Sequence, residues 1–535
     1  MRKFICSRNE ILFYLFFSIM LFAKGMGWYD GMPQYRLCLV LGAGFLLAKL
    51  ALSRYTLPQF VMTAVLGGLG LLSYLLSREK GMFICMMLVI GMKDIPVRRA
   101  FQLGAVVWGG IFAYRVFLFL TGIEKGILLV HDKLGLGHIF RWSMGYPHPN
   151  VFHISYVILL AFVFYLRRPD RRGMKRAVFF AFLGNCFVFL YSVSMTGFLL
   201  TVIYLFGVVY FETRRRFSKW EKAAVVCILP LCLLFSLAAP LLPQGPVFDI
   251  LNKMMNTRLN LSRYFLLNHP VSLFGQRILV EDPNLTMDNS YVFALMTYGA
   301  APFVLLMAAY FLMIRSALKE GRRRELAITL GFLIAGISEP FLFNTSFKNL
   351  SLLFIGSYLY GHIDLLCRSV GDGRIGVADW GKRDLRIPGR ITQAYDRVML
   401  SLAAAYRKLS GYKALLAVFG LAFGIGGGVL CAWRMETPQM YIVPLDICDF
   451  SEQSPFFLTE KQKQEYEEQG AAIPVYVDEE TPLYRFEGNL IRLEQIREVA
   501  GYAFLSGILG VAAGAACGLV LAGRKKKPNE NIDRQ

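Results

Sequence analysis

Apolar blocks of roughly 16–25 residues recur along this chain, the length an α-helix needs to cross the hydrocarbon core of a bilayer. Lipid offers no hydrogen-bond partner, so only helices or closed barrels can satisfy their backbone there. A barrel would show alternating segments about ten residues long, and the sequence has none. The blocks predict an all-α, polytopic integral membrane protein. Candidate spans fall near 9–27, 36–53, 57–77, 80–92, 101–121, 150–166, 177–193, 196–212, 223–242, 290–314, 326–344, 350–367, 412–433 and 498–523, fourteen in all.

Charge placement sets the expected orientation. The net charge of +21 is concentrated in short loops: RRPDRRGMKR (167–176), ETRRRFSKWEK (212–222), RSALKEGRRRE (315–325) and RKKK (524–527). Alternating spans put all of these on one face, together with both termini, and the positive-inside rule makes that face cytoplasmic. These basic patches lack aromatic stacking platforms, which argues against nucleic acid as a partner and for the bilayer itself. The ten cysteines show no CxxC or Cys/His metal spacing, and only Cys448 lies well out in a polar segment. No metal and no cofactor is expected. The first apolar run follows MRKFICSR without a small-residue cleavage site, so it reads as a retained span.

The organisation that follows is a twelve-span membrane body over 1–367, a cytoplasmic linker over 368–411, a two-span hairpin over 412–523, and a basic cytoplasmic tail over 524–535. The linker carries an amphipathic stretch, YDRVMLSLAAAYRKL. The hairpin encloses an extracytoplasmic insert, 434–497, with 13 acidic against 6 basic residues. It reads as a solvated spacer, a partner-recruiting segment or a length regulator. The other long outer segments are 122–149 and 243–289.

Ionisable groups near the membrane are costly, so their positions are informative. Arg115, in the outer half of the fifth span, either snorkels to the interface or faces an anion in an outward cavity. In RWSMGYPHPN (141–150), Asn150 is expected to cap the helix that follows, whereas a turn requires neither Arg141 nor His148. His148 and His153 are five residues apart, which does not put two metal ligands on one helical face. Arg258 and Arg263 lie in a loop with no acid nearer than Asp249; they belong to a solvated amphipathic helix or meet phosphate oxygens through their planar forks. Asp288–Asn289–Ser290 makes a helix cap. Glu339, at the outer end of the eleventh span, has no cap role and calls for an arginine partner or a functional site. All of these map to the outer face, with positive charge in excess. Two classes of protein need such a cavity: a membrane enzyme with an anionic lipid-linked substrate, and an anion transporter.

RWSMGYPHPNVF resembles the Arg…His-Pro-Asn signature of bacterial polysaccharide polymerases in the O-antigen polymerase and ligase superfamily. TRLNLSRYFLLNHPVSLFGQ is similar to that family's Arg-Leu segment with its Leu-Phe-Gly turn, MDNSYVFALMTYGAAP to its Asp-Asn-Ser-Tyr segment, and EPFLFNTSFKNLSLLFIG to its closing Glu…Asn…Asn pattern. The likeness covers roughly residues 1–367; the hairpin lies outside it, though its layout is reminiscent of chain-length regulators. The resemblance implies a GT-C-like, metal-independent, inverting glycosyltransferase in the bacterial cell membrane. It would polymerise undecaprenyl-diphosphate-linked oligosaccharides at the outer face, for a capsule, exopolysaccharide or O-antigen, with a flippase and a chain-length regulator as partners. By match to the motifs, Arg258 stabilises the departing diphosphate with Arg141 and Arg263 assisting. His148 serves as base or orienting group, Asp288 as the second candidate base, and Asn150 and Tyr291 shape the sugar pocket. Asn289, Glu339 and Arg115 complete the expected substrate-binding set. A ligase of the same superfamily and a lipid-linked oligosaccharide flippase are the alternatives.

Overall fold

The computed structural model describes residues 5–124, 126, 128–132, 138–167, 171–214, 216–280, 285–367, 408–435 and 488–524, the short pieces 374–375, 384–386, 440–442 and 456–458, and residues 397, 401 and 404. Most of the linker's amphipathic stretch, most of the acidic insert with Cys448, and the tail beyond Arg524 lie outside the described residues.

The chain is helical and membrane-embedded in character. In order, the helices are α1 (Arg8–Gly25), α2 (Pro33–Leu52), α3 (Leu57–Ser77), α4 (Gly81–Gly91), α5 (Val97–Leu120), α6 (Pro149–Leu166), α7 (Arg171–Ser192), α8 (Met195–Thr213), α9 (Lys219–Ala238), α10 (Pro246–Met254), α11 (Arg258–Asn268), α12 (Ser290–Tyr298), α13 (Ala300–Glu320), α14 (Arg323–Ala335), α15 (Ser351–Cys367), α16 (Lys413–Arg434) and α17 (Gly488–Arg524). Among the described residues, ten helices are long and apolar enough to cross a membrane: α2, α3, α5–α9, α13, α16 and α17. Among the described residues extended structure is confined to short pairs, the longest being an antiparallel ribbon of Leu128–Asp132 with His138–Trp142.

Three of the expected spans take a different form. The block 290–314 is two helices, because Gly299 adopts φ +89° and ψ 166°, a conformation essentially reserved for glycine, between α12 and α13. The block 326–344 is α-helical only to Ala335; turns and a short 3₁₀ segment, Pro340–Leu342, follow, with Glu339 directly before that segment. The block 80–92 forms an 11-residue helix, too short to span alone. Apolarity favours exclusion from water; it does not guarantee an unbroken helix.

The most enclosed of the ten is α6, with 67% of its apolar window buried, against 11% for α16. Around it pack α5, α7, α8 and α14, while α14 also lies against α9 and α13. The hairpin attaches through α17, which touches α5, α7 and the ribbon. Within the hairpin the two backbones approach closely: a Cβ on Gly510 would meet the carbonyl of Phe419, and one on Gly424 would lie 3.2 Å from the Ala503 carbonyl. Small residues at such crossings let helices associate where no water is available to drive them together.

The ends of these helices differ in chemistry. At one end Arg324 pairs with Glu212 at 2.7 Å and donates to the Tyr165 carbonyl at 2.9 Å, tying together the start of α14 and the ends of α8 and α6. The opposite ends of the same three helices carry Glu339, Thr196 and the His148–Asn150 turn.

Candidate functional site

Arg258 is the organising group. It opens α11 directly after two consecutive residues with positive φ, Asn256 at 51° and Thr257 at 64°. From this strained start its guanidinium, in a residue only 8% exposed, reaches three other segments. Nε donates to Asp288 Oδ2 at 3.2 Å, Nη1 to Thr196 Oγ1 at 3.1 Å, and Nη2 to Glu339 Oε1 at 3.4 Å. Asp288 is the more open carboxylate: its side chain is 32% exposed against 9% for Glu339. It also accepts from Thr286 Oγ1 at 3.2 Å.

Arg141 lies beside this pair on the last strand of the ribbon. Its Nε donates to the Ser192 carbonyl at 3.0 Å and its Nη2 to Asn150 Oδ1 at 2.6 Å. Burial pulls its guanidinium down to about 10; the charge of Glu339 opposes this and that of Arg258 adds to it, so the three groups share one electrostatic environment. The Ser192 carbonyl is presented by the α7–α8 turn, where the β-branched Val193 sits at φ 42°.

His148, rather than Asn150, is the N-cap of α6. Its Nδ1 accepts the Asn150 amide at 3.0 Å, while the Asn150 side chain serves Arg141. An accepting Nδ1 leaves the proton of a neutral ring on Nε2. In this geometry Nε2 of a neutral His148 is a donor and Nδ1 an acceptor. His153 is wholly buried between Ser192 Oγ and Asn185 Oδ1, at 3.0 and 2.8 Å.

Four of the expected residues do other work. Arg115 is buried and pairs with Glu124 at 2.7 Å while donating to the Gly145 carbonyl, so it neither snorkels nor offers an open fork. Arg263 lies about 140° around α11 from Arg258. It donates to the Pro240 and Leu242 carbonyls at 3.3 and 2.7 Å and sits over the Phe248 ring, which leaves it outside the cluster. Asn289 caps α12, accepting the Tyr291 and Val292 amides at 2.9 and 3.2 Å. Tyr291 is fully buried with its hydroxyl on the Leu333 carbonyl at 2.6 Å, so it lines no sugar pocket.

Three residues join the cluster that the sequence reading did not single out: Thr196, Lys24 and Lys348. Lys348 is 4% exposed, donates to the Val151 carbonyl at 3.2 Å, and acts electrostatically with Lys24 and Glu339. Lys24 ends α1 with its ammonium 3.7 Å from the centre of the Tyr35 ring. A lysine isolated between two apolar runs, as in FNTSFKNLSLL, is the readable signal for Lys348. Phe347, just before it, has φ 56°, and Met144, in the turn before His148, has φ 46°. Five of the seven non-glycine residues with positive φ among the described residues thus border the segments that build the cluster. Strain of this kind collects where a fold must hold groups in set positions.

Among the described residues no group of three or more His, Cys, Asp or Glu side chains is arranged to hold a metal ion. The cluster offers a set of guanidinium and ammonium groups with one open carboxylate, an arrangement suited to a multiply charged oxyanion. No family model, curated protein or solved structure matches the chain.

Proposed function

We propose that this protein is a membrane glycosyltransferase of the GT-C-like kind that joins lipid-diphosphate-linked oligosaccharides, polymerising undecaprenyl-diphosphate-linked repeat units at the outer face of a bacterial cytoplasmic membrane. The observation that carries this reading is the composition of the cluster: Lys24, Arg141, Arg258 and Lys348 against Asp288 and Glu339, formally two positive charges in excess in a largely buried setting. A diphosphate leaving group brings the complementary charge, and preorganised cations in a site of low dielectric stabilise it as it forms. The four resemblance motifs contribute Arg141, Arg258, Asp288 and Glu339 to this one place, which supports the same reading. With basic loops at the opposite helix ends, the positive-inside rule gives the cluster an exterior location and both termini a cytoplasmic one. Fourteen spans fit this arrangement if α1, α4, α14 and α15 are each threaded through the membrane beside the ten longer helices, with α12 joining α13 in one crossing.

The chemistry follows from the groups. A sugar hydroxyl of one lipid-linked unit attacks the anomeric carbon of another from the side opposite its diphosphate, and the configuration inverts. The bond between the anomeric carbon and the diphosphate oxygen breaks with its electron pair going to that oxygen, and Arg258 and Arg141 meet the charge on the departing diphosphate. The hydroxyl proton passes to Asp288, the accessible carboxylate. His148 Nε2–H donates to a phosphate or sugar oxygen.

His148→Asn separates this role from capping, because asparagine is also a good N-cap. The variant is expected to keep the wild-type melting temperature and lose about 10²-fold in glycan joining. Glycan ladder gels from cells relying on the gene measure this; an unchanged ladder at normal protein level would remove His148 from the site. In the same assay, loss of the gene leaves single lipid-linked units if the protein is a polymerase and free polymer if it is a ligase.

A further inference from the structure

The C-terminal hairpin lies outside the motif-bearing region, yet one of its side chains is bound into the site's support. Arg497 on α17 is 2% exposed. Its Nη2 donates to the Phe140 carbonyl at 2.8 Å and to the Tyr191 carbonyl at 3.5 Å, and its Nε to the Leu190 carbonyl at 2.7 Å. Tyr191 Oη returns a bond to the Arg497 carbonyl at 2.6 Å, and Glu494 pairs with the guanidinium. Glu494 Oε2 also accepts from Trp142 Nε1 at 3.0 Å.

Both sequence neighbours of Arg141, Phe140 and Trp142, are therefore held by α17. So are Leu190 and Tyr191, the two residues before Ser192, whose carbonyl holds Arg141 Nε. One guanidinium fixes the position of both Arg141 and the acceptor that orients it. Docking α17 by apolar packing alone would need none of these bonds, and a buried arginine on carbonyl oxygens is costly unless they are all made.

We propose that Arg497 is a positioning residue for Arg141, which makes the α16–α17 hairpin a working part of the anion site. The inference rests on the diphosphate reading above.

The test is binding of a water-soluble polyprenyl diphosphate, competed by inorganic pyrophosphate, to the purified full-length protein in nanodiscs. Arg141→Ala is expected to weaken binding about 30-fold, the worth of a lost charge-assisted contact. Arg497→Ala is expected to weaken it about tenfold, and the double variant no further than Arg141→Ala alone, because the second substitution acts through the first. Arg497→Lys, which keeps a charge beside Glu494 but reaches fewer carbonyls, is expected to melt like the wild type and bind several-fold more weakly. It carries the test if Arg497→Ala fails to accumulate. Wild-type affinity in the Arg497 variants, or losses that add to that of Arg141→Ala, would overturn the positioning role alone. Absence of binding by the wild type would overturn the diphosphate reading and this inference with it.

Discussion

Arg258→Ala is expected to abolish measurable glycan transfer, with a loss of at least about 10²–10³-fold, the cost of removing one preorganised donor from a developing oxyanion. Arg258 makes three contacts from one guanidinium, so the substitution also leaves Glu339 as a buried carboxylate without its partner. Breaking a buried pair on one side costs about 3–5 kcal/mol, and the variant should melt well below the wild type. Two further variants separate the effects. Arg258→Lys keeps the charge near Glu339 but loses the planar fork, so it should approach wild-type stability and still fall about 10²-fold in activity. Arg258→Met combined with Glu339→Gln removes both charges and should recover much of the lost melting temperature with no recovery of transfer. Activity that tracks stability across the three would make Arg258 a structural residue only.

Gly299→Ala is expected to be the most damaging single-atom addition to the fold of the body. Its φ of +89° with ψ of 166° costs a non-glycine residue about 1–3 kcal/mol. A Cβ there would also meet the Gly275 amide nitrogen and lie 2.7 Å from the Leu273 carbonyl carbon and oxygen, all backbone atoms that cannot rotate away. Those atoms are fixed by their own bonds, Ala300 N–H to the Ser272 carbonyl and Ala301 N–H to the Leu273 carbonyl, both 2.9 Å. A loss on the order of 4 kcal/mol follows, in the range that marks a specific structural defect. Since α12 begins at the Asp288–Asn289 cap, the shift should reach Arg258 as well. Fluorescence-detected melting in detergent measures the first effect; a wild-type melting temperature would mean that the α12–α13 junction is not as tightly held as its contacts require.

Arg258 and Asp288 belong to one segment, 243–289, and Glu339 to another. Charge in an otherwise apolar chain marked Arg258 as a candidate for phosphate and Glu339 as a carboxylate in want of an arginine, whereas Asp288 read as part of a helix cap. The same signal marked Arg115 and Arg263, which the fold satisfies locally with Glu124 and with the Pro240 and Leu242 carbonyls. Composition reports that a cation needs a partner, not which partner it finds. Asn150 looked like the cap because asparagine caps helices well, but the neighbouring His148 took that place and freed the amide for Arg141. The break at Gly299 lay inside an unbroken apolar run, and the Gly299–Pro302 pair was the one local sign of it. Arg497 carried no such mark for another reason: its acceptors outside α17 are backbone carbonyls, which carry no sequence identity.

If the cation cluster drives transfer of a glycan off a lipid diphosphate, purified protein in proteoliposomes suffices for the reaction when supplied with a defined undecaprenyl-diphosphate-linked oligosaccharide and a metal chelator. The expected products are a ladder of joined glycans and one free undecaprenyl diphosphate per bond formed, both lost in Arg258→Lys and His148→Asn. Movement of the lipid-linked unit across the bilayer with no joined product would contradict it and identify a transporter instead.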